Sequence, residues 1–395
     1  MLMHRTYRSL MIMAAATLLT AMTSCGSDST VWHDDIAGEQ PDVYLTLDVG
    51  VIDNTSMSSR SRAGSYYFEL PERNNEKLNS LKIFIFNPDN NIIEGYRYVN
   101  FDGDGSPVGS NLTFKLKPGD KRIYLIANDQ AVNQNIRNIY SNLGKGDVFP
   151  EDALNSATLS RGSQRPFFTS AQNIPMNESF DITLETPAED ESRYIHKTLF
   201  ITRVAVKYTF IFADDVRAVT VGLDNMSTVQ YFMPNRAVYS PAKYEPAETI
   251  DGITGRNITS FTAYPQDKSV FELTLTGKTP VEITEADGTK TTAYVYDPVY
   301  LMESSGSTFR VRVKLDAGET DAEGNSLEGS WYDYRQLPNL PLLPRNTHVL
   351  VRMSATYGLT CTVDVVPYRG CLLEPYFGLN RDEEGNLIPP TTNKL

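Results

Sequence analysis

The chain has 395 residues and a formal net charge of −13. A surface this acidic repels phosphate backbones, so nucleic acid is excluded as an expected partner. Because 395 residues exceed what one hydrophobic core usually organises, we expect two domains. The 22 Tyr and 17 Phe residues among frequent Val and Thr favour strands, so we predict an all-β fold.

Residues 1–24 resemble a lipoprotein signal peptide, in which a basic start is followed by an apolar run and then by a cysteine. Arg5 and Arg8 precede the apolar run 11–22, which is too short to span a bilayer. Cys25 follows Met-Thr-Ser, so we predict cleavage before Cys25 and attachment of acyl chains such as palmitate to it. Gly26 follows, which by similarity to known sorting rules favours the outer membrane. The alternative is an ordinary signal peptide with an incidental cysteine.

Residues 25–42 are polar, acidic and aperiodic, and we interpret them as a lipidated tether. The fold is expected to begin at residue 43, where apolar residues alternate with polar ones as in a half-buried strand. The apolar positions of this strand are Val43, Leu45, Leu47, Val49 and Val51. A polar and basic loop is predicted at 54–64, where a protease could enter.

Further strands are predicted where alternation recurs. In chain order they are 81–86, 92–98, 112–116, 121–127, 180–184, 198–212, 216–223, 259–264, 270–275, 291–296, 308–315, 348–355 and 359–366. The first four are expected to form two hairpins, and 198–212 is long enough for a central or sheet-switching strand. A short helix is expected near 132–142. The linker 186–191 divides the chain into an N-terminal sandwich, 43–190, and a C-terminal sandwich with a C-terminal extension, 191–395.

Cys361 and Cys371 are the two cysteines beyond the lipidation site. A turn predicted at 367–370 would place Val366 opposite Cys371. Cys361 would then lie five residues along the strand from Val366, the residue that faces Cys371. That separation exceeds the reach of a disulfide, so we predict two buried free thiols.

Catalytic motifs are not found in the sequence. His33 lies in the tether, and neither His196 nor His348 has Cys, Asp or Glu at metal-ligand spacing. There is no Gly-x-Ser-x-Gly, His-Glu-x-x-His or phosphate loop. We therefore expect no enzymatic activity, no catalytic residue, no metal site and no cofactor. Four acids in the loop at 316–323 are interpreted as a solvated turn, since they lack the ordered spacing of a calcium loop.

Glycan binding is an alternative function for a surface lipoprotein. Exposed aromatic faces form sugar platforms, and the stretch 331–334, Trp-Tyr-Asp-Tyr, could provide a small one. A packed loop beside the last strands explains the same stretch equally well.

Several stretches together resemble the FimA-type fimbrillins, the subunits of type V pili in Bacteroidia. The matching elements are the lipidation signal at Cys25, the strand 43–51 followed by Arg62-Ala63, and the runs 81–87 (LKIFIFN), 116–128 (LKPGDKRIYLIAN), 201–207 (ITRVAVK) and 345–353 (RNTHVLVRM). The resemblance implies two transthyretin-like Greek-key β-sandwich domains and transport to the outer membrane and the cell-surface fimbrium. It also implies partners: other pilus subunits joined by strand exchange, and an arginine-specific protease.

The resemblance places proteolysis in the loop after the first strand, behind Arg62 and before Ala63, with Arg60 as the alternative. Removing the first strand would expose an apolar groove and unpaired strand edges, which invite another strand. A tip or anchor subunit could share the fold without polymerising.

A replacement strand needs the same alternation. The C-terminal segment 371–379 has apolar residues on one parity, namely Cys371, Leu373, Pro375, Phe377 and Leu379. It is therefore the candidate donor strand, although Pro375 cannot donate a backbone hydrogen bond. The alternative is an ordinary last strand of the second domain.

Overall fold

The computed structural model describes residues 41–388, except 52, 57–72, 103–111, 161–167, 169–170, 187, 189–192, 214, 216–218, 235–247, 251–252, 259–267, 285–288, 306–309, 316–334, 337–341, 355–359, 367–371, 374–379 and 382–386. Every described helix and strand lies in the compact unit Asp42–Leu395. None of the helices in these residues is long and apolar enough to cross a membrane.

The described chain is built mainly from strands, as the all-β prediction requires. Those in the first half are β1 (Val43–Val51), β2 (Asp53–Ser56), β3 (Ser80–Phe86), β4 (Ile93–Asn100), β5 (Thr113–Leu116), β6 (Gly119–Ala127), β7 (Thr158–Ser160), β8 (Met176–Leu184) and β9 (Tyr194–Arg203). The helices are α1 (Gln134–Tyr140) and α2 (Glu151–Ser156), with 3-10 turns at Asn74–Glu76 and Asp129–Ala131.

The second half continues with strands that are often shorter. They are β10 (Val206–Phe212), β11 (Val219–Ser227), β12 (Val229–Tyr231), β13 (Glu248–Ile250), β14 (Ile253–Ile258), β15 (Lys268–Thr274), β16 (Thr279–Thr284), β17 (Lys290–Val295), β18 (Val299–Leu301), β19 (Ser304–Ser305), β20 (Arg310–Leu315), β21 (Arg335–Gln336), β22 (Leu342–Leu343), β23 (His348–Ser354), β24 (Thr360–Val366), β25 (Leu372–Leu373), β26 (Asn380–Arg381) and β27 (Leu387–Ile388).

The first sheet has the order β25-β1-β9-β8-β6-β3-β4, with β5 paired to β1. Its two parts are joined at β8 and β9 by the register pairs Met176↔Arg203 and Asn177↔Thr202. Alternate side chains of β1, β5 and β9 share one buried cluster with those of β3, β6 and β8. The two parts of the sheet therefore face each other across a hydrophobic core, as in a sandwich.

The opposite face of β3 and β6 is covered by the helices. Phe84 of β3 packs against Tyr140 of α1 and against Phe149, which precedes α2. The side chain of Asn133 caps α1 by accepting a hydrogen bond from the backbone N–H of Ile136 at 3.0 Å. The helix near 132–142 predicted from the sequence is thus confirmed, with bounds Gln134–Tyr140.

A second sheet has the order β16-β17-β10-β23-β24, with β18 also paired to β10, and a third has the order β15-β11-β20-β21. Alternate residues of β10, namely Val206, Tyr208, Phe210 and Phe212, are buried in one cluster with residues of β11, β20 and β23. The second and third sheets therefore enclose a core of their own. The shorter strands form the pairs β12-β7, β19-β22 and β26-β27 and the sheet β13-β14-β2.

The single strand predicted over 198–212 is wrong. The chain bends at Val204 and Ala205, so β9 ends in the first sheet and β10 begins in the second. The sequence is mostly apolar on both sides of the bend, because both strands are buried, and this conceals the bend. Of the two roles considered for this stretch, the change of sheet is the one observed. β9 belongs to the first sheet although it follows residue 190, and the domain boundary there stays a prediction.

The second predicted hairpin is also wrong. Strand β5 pairs with β1, whereas β6 pairs with β3 and β8. Pro118 and Gly119, whose φ is 108°, carry the chain from one side of the core to the other. Phe114 and Ile123 consequently enter the same cluster from opposite sides. The first hairpin, β3 and β4, is confirmed.

The remaining strand predictions differ mostly in their ends. The one at 259–264 lies outside the described residues. The strands that were not predicted are β2, β7, β12, β13, β14, β16, β18, β19, β21, β22, β26 and β27. Both β16 and β18 contain proline or lie next to it, at Pro280 and Pro298, which obscures the alternation.

A buried ion pair holds the turn before β23. Arg345 and Glu303 have side chains 0% and 2% exposed, and Nη2 of Arg345 lies 2.8 Å from Oε1 of Glu303. The same guanidinium donates to the carbonyl oxygens of Tyr231 at 2.6 Å and Phe232 at 2.7 Å. Its hydrogen bonds therefore join three segments that are distant in sequence.

Replacing this arginine should destabilise the fold strongly. We expect Arg345→Met to lower the free energy of unfolding by about 3–5 kcal/mol, because Glu303 would keep a buried charge without its partner. The matched control is Arg310→Met, whose half-exposed guanidinium pairs with Asp224 and should contribute less than about 1 kcal/mol. Urea denaturation of both variants measures the difference, and equal losses would contradict the prediction.

Candidate functional site

Strand β1 has a neighbour along both of its edges. It pairs in parallel with β9 from Tyr44 to Val51, and antiparallel with β5 from Val43 to Thr46. Beyond β5, the backbone N–H of Leu47 donates to the carbonyl oxygen of Leu112 at 3.0 Å. We call the space that β1 fills between β9 and β5 the β1 groove. An empty groove would leave unpaired backbone on two strands at once.

The inward face of β1 is apolar and buried. The predicted strand has the bounds Val43–Val51 in the structure. Its alternating side chains are nearly inaccessible, and they are Val43 (1% exposed), Leu45 (0%), Leu47 (0%), Val49 (1%) and Val51 (5%). Four of these five belong to the core cluster shared by the two parts of the first sheet. Removing β1 would therefore open the core itself.

The outward face of β1 is polar, and each of three alternate residues contacts a neighbouring strand. Tyr44 stacks on Tyr194 of β9 with ring centroids 5.0 Å apart. The hydroxyl oxygen of Thr46 lies 2.9 Å from that of Thr113 on β5. Further along, Oδ2 of Asp48 lies 2.6 Å from Nε2 of His196 on β9.

Two salt bridges fix the residue before β1. Asp42 lies 2.8 Å from Nζ of Lys115 and 3.2 Å from Nζ of Lys117. Burial by itself raises the pKa of Asp42, but the hydrogen bonds and charges of the two lysines outweigh it, so the net pKa is lowered. The carboxylate form of Asp42 is thereby favoured.

The chain on the far side of the predicted loop is anchored separately. Glu76 is 1% exposed, and its Oε1 lies 2.6 Å from Nζ of Lys207 on β10. The hydroxyl of Tyr300 on β18 donates to the same oxygen at 2.5 Å. Burial lowers the pKa of Lys207 more than Glu76 raises it. None of these contacts involves β1, so residues 73–76 have an attachment independent of that strand.

Two of the three candidate histidines lie in the described residues. His196 is partly exposed on β9 beside Asp48, a neighbour that the spacing along the chain cannot show. His348 is buried on β23, with Nε2 2.9 Å from the hydroxyl of Thr209. Burial and the charges of Lys207 and Arg203 hold the pKa of His348 well below its usual value. Across the described residues, no group of three or more potential metal ligands is found.

Most of the other predicted site residues lie outside the described residues: Cys25, Arg60, Arg62, Ala63, Cys371, Phe377 and Leu379. The aromatic stretch 331–334 and the acidic loop 316–323 lie outside them too. Leu373 is described through its backbone in β25, which pairs antiparallel with β1 at Val49. The end of the candidate donor segment that contains Leu373 therefore lies beside β1 of its own chain.

Sequence reasoning missed the neighbours of β1. Tyr194 and His196 precede the predicted start of their strand at 198, because Lys197 interrupts the apolar alternation of Ile195 and Leu199. Lys115 was assigned to a hairpin with the wrong partner strand. The alternation of Ile195, Leu199 and Ile201, all in or against the core, is the signal that could have extended the strand.

A family model for the major fimbrial subunit protein (FimA) matches residues 44–203. This stretch contains β5 and β9, which flank the β1 groove, and all of β1 except Val43. Over these residues the chain is similar to fimbrial subunits. The resemblance to FimA-type fimbrillins predicted from the sequence is confirmed over residues 44–203.

Three of the solved structures that match this chain are fimbrial or cell adhesion proteins of Porphyromonas and Bacteroides. The tip fimbrial protein Mfa3 of Porphyromonas gingivalis, with C-terminal truncation, has 14% identity and a TM-score of 0.47, covering 83% of this chain and 100% of its own. A proposed cell adhesion protein of Bacteroides eggerthii has 13% identity and a TM-score of 0.42, covering 87% and 100%. The fimbrial anchor protein Mfa2 of P. gingivalis has 13% identity and a TM-score of 0.36, covering 85% and 100%. No curated protein matches.

The two faces of β1 should contribute unequally to stability. We expect Leu47→Ala in the uncut protein to lower the free energy of unfolding by about 2–5 kcal/mol, because it leaves a cavity in the core. The control Thr46→Ala, on the outward face of the same strand, should lose about 1 kcal/mol with its hydroxyl contact. Urea denaturation compares the two, and a larger loss for Thr46→Ala would contradict the described orientation of β1.

Acid should destabilise the protein through His348. Because its pKa is lowered in the fold, the unfolded chain binds more protons below its ordinary pKa of about 6.5. Stability should therefore fall with falling pH from that value, by up to about 1.4 kcal/mol per pH unit. His348→Gln should flatten the stability profile between about pH 6.5 and pH 4.5.

The control for the pH prediction is Asp42→Asn. The lowered pKa of Asp42 gives stability that is present above its ordinary pKa of about 3.8 and is lost only as pH falls through the lower folded value. This variant should leave the slope between pH 6.5 and pH 4.5 unchanged. Urea midpoints measured across this range test both variants, and an unaltered slope in His348→Gln would contradict the assignment.

Proposed function

We propose that this chain is a structural subunit of a cell-surface pilus, exported as a lipoprotein and assembled by strand exchange. The observation that carries the proposal is the position of β1, an interior strand with five buried apolar side chains. Such a strand leaves a groove that only another strand with the same alternation can fill. The match of residues 44–203 to the fimbrial subunit model supports it.

In the proposed sequence of events, acyl chains on Cys25 deliver the subunit to the outer membrane. An arginine-specific protease then cuts behind Arg62, or behind Arg60, and β1 loses its covalent link to the rest of the chain. The contacts of Glu76 with Lys207 and Tyr300 keep the new N-terminal side attached to β10 and β18. We also propose that 43–190 and 191–395 form transthyretin-like Greek-key domains.

Cleavage alone should not empty the groove. Burying five aliphatic side chains stabilises β1 by on the order of 10 kcal/mol, at roughly 1.5–3 kcal/mol for each. Its hydrogen bonds to β9 and β5 add to that. The cut strand therefore stays bound until an incoming strand replaces its contacts, which couples its loss to assembly.

The proposed donor is the segment 371–379 of a neighbouring subunit. Aligned with β1 by its apolar parity, Cys371 would take the place of Val43 and Leu379 that of Val51. Pro375 would then replace Leu47, whose N–H donates to Leu112. The donor would lose this one hydrogen bond, at a cost of about 1 kcal/mol, and keep the apolar face.

A terminal subunit that keeps β1 is the second candidate function. The pairing of β25 with β1 within one chain favours it, because the C-terminal segment would then complete the edge of its own sheet. Sequencing the N-terminus of protein taken from cells separates the two candidates. A start at Ala63 supports a polymerising subunit, and a lipid-modified Cys25 supports an anchor.

Limited digestion tests the proposed cleavage. An arginine-specific protease should cut the purified protein behind Arg62 or Arg60 and yield oligomers, seen by N-terminal sequencing and size-exclusion chromatography. The double variant Arg60→Gln/Arg62→Gln should stay intact and monomeric. The control Arg97→Gln, in the paired strand β4, should behave as the wild type. A wild-type protein that stays monomeric after the cut would contradict assembly by strand exchange.

A further inference from the structure

The β1 groove keeps its own polar side chains when β1 is absent. Tyr194 and His196 belong to β9, and Thr113 belongs to β5. Each now contacts an outward residue of β1, namely Tyr44, Asp48 and Thr46 respectively. Any strand that replaces β1 must present its own outward side chains to the same three groups.

We propose that His196 is a specificity-determining residue of the β1 groove, which selects a strand with an acidic side chain on its outward face. This proposal rests on the proposed function, and it specifies which side chain of an incoming strand the β1 groove recognises. Its occupant is the segment 371–379 of a second copy of this chain, which presents Glu374 to His196.

The contact in the uncut protein shows the geometry. Nε2 of His196 lies 2.6 Å from Oδ2 of Asp48, and the Asp48 side chain is 8% exposed although it lies on the outward face. In the strand register His196 is directly opposite Thr46. Asp48 is two residues further along β1 on the same face, opposite Thr198. The ring therefore reaches a carboxylate diagonally across the two strands, a distance that long side chains commonly span.

An acid at the position of Thr46 would lie closer to His196 in register than Asp48 does. Because Nε2 donates to a carboxylate in the protonated ring and in one neutral tautomer, the contact does not require a charged histidine. An acidic side chain at either outward position gives Nε2 an acceptor in the protonated ring and in one neutral tautomer, whereas a lysine finds an acceptor only in the other neutral tautomer and is repelled by the protonated ring. His196 thus favours one class of incoming side chain over another.

The C-terminal segment fits this requirement by its sequence. When its apolar residues take the inward positions of β1, its outward residues are Leu372, Glu374, Tyr376 and Gly378. Glu374 then takes the place of Thr46, opposite His196, and Gly378 coincides with Gly50. In this one alignment the apolar residues point inward, Glu374 lies opposite His196, and Gly378 takes the place of Gly50.

The alternation of apolar residues in the segment 371–379 limits how it can align with β1. A shift of one residue would turn the apolar side chains outward and place Glu374 in the core. A shift of two would keep the parity, but would move Glu374 to the place of Tyr44 or Asp48 and separate the two glycines. At the place of Tyr44 the acid would face Tyr194, and at the place of Asp48 it would still reach His196 but Gly378 would no longer coincide with Gly50. The His196 contact and the glycine match together therefore distinguish registers that the apolar face alone treats as similar.

Peptide exchange on the cut full-length protein tests the inference. After cleavage by an arginine-specific protease, labelled peptides of residues 370–380 are added and their occupancy of the groove is measured. Glu374→Lys should weaken occupancy at least about fivefold, the size expected for a partly exposed charge contact. The control peptide Asn380→Lys carries the same added lysine beyond the position of Val51 and should bind as the unmodified peptide does.

The reciprocal protein variant completes the test. His196→Glu should reverse the preference, so that the Glu374→Lys peptide binds better than the unmodified one. The Pro375→Ala peptide should bind more tightly to both proteins, because its restored N–H can donate to the carbonyl oxygen of Leu112. An unchanged affinity for Pro375→Ala would overturn the alignment.

The outcomes separate the two proposals. If no peptide with this apolar alternation enters the groove, the proposed strand exchange fails. If peptides enter and residue 374 has no effect on affinity with either protein, the role of His196 fails and strand exchange stands. Equal weakening by Glu374→Lys and Asn380→Lys would also overturn the role of His196. It would show that an added lysine weakens binding wherever it lies in the peptide.

Discussion

An interior strand must satisfy hydrogen bonds along both of its edges, and the architecture around β1 follows from this constraint. Strand β9 provides one edge in parallel, and β5 provides the other in antiparallel orientation. Strand β5 lies beside β1 and not beside β6, although its sequence proximity favours a hairpin with β6. The turn at Pro118 and Gly119 then carries the chain across the core to β6. The topology of the first sheet is therefore organised around a place for one particular strand.

Buried charges hold the rest of the molecule independently of that place. Glu76 fixes the segment after the loop to β10 and β18, and Arg345 joins Glu303 to the backbone of Tyr231 and Phe232. Breaking such pairs is costly, because a charge left without its partner in the interior has lost its water. These contacts involve no residue of β1, so they would remain if β1 were exchanged as proposed.

The sequence predicts the local elements well and their partners poorly. The bounds and inward face of β1 follow from five alternating apolar residues, and the hairpin of β3 and β4 from its turn. Strand partners depend on tertiary contacts that local alternation does not contain, so β5 was paired wrongly. The bend at Val204 and Ala205 was concealed because both sides of it are apolar. Asp48 and His196 are far apart in sequence, and only the register of β1 against β9 brings them together.

In the proposed exchange, the two faces of β1 contribute differently to recognition. Its inward face supplies most of the burial energy, but any alternating apolar strand offers nearly the same contacts, and a slip of two residues preserves them. Its outward face contributes less energy, because Tyr194 and His196 are partly exposed. Those contacts are nevertheless specific to position and to side-chain type. Affinity and register are thus set by different residues of one strand, so a replacement strand can match the first face and still be rejected by the second.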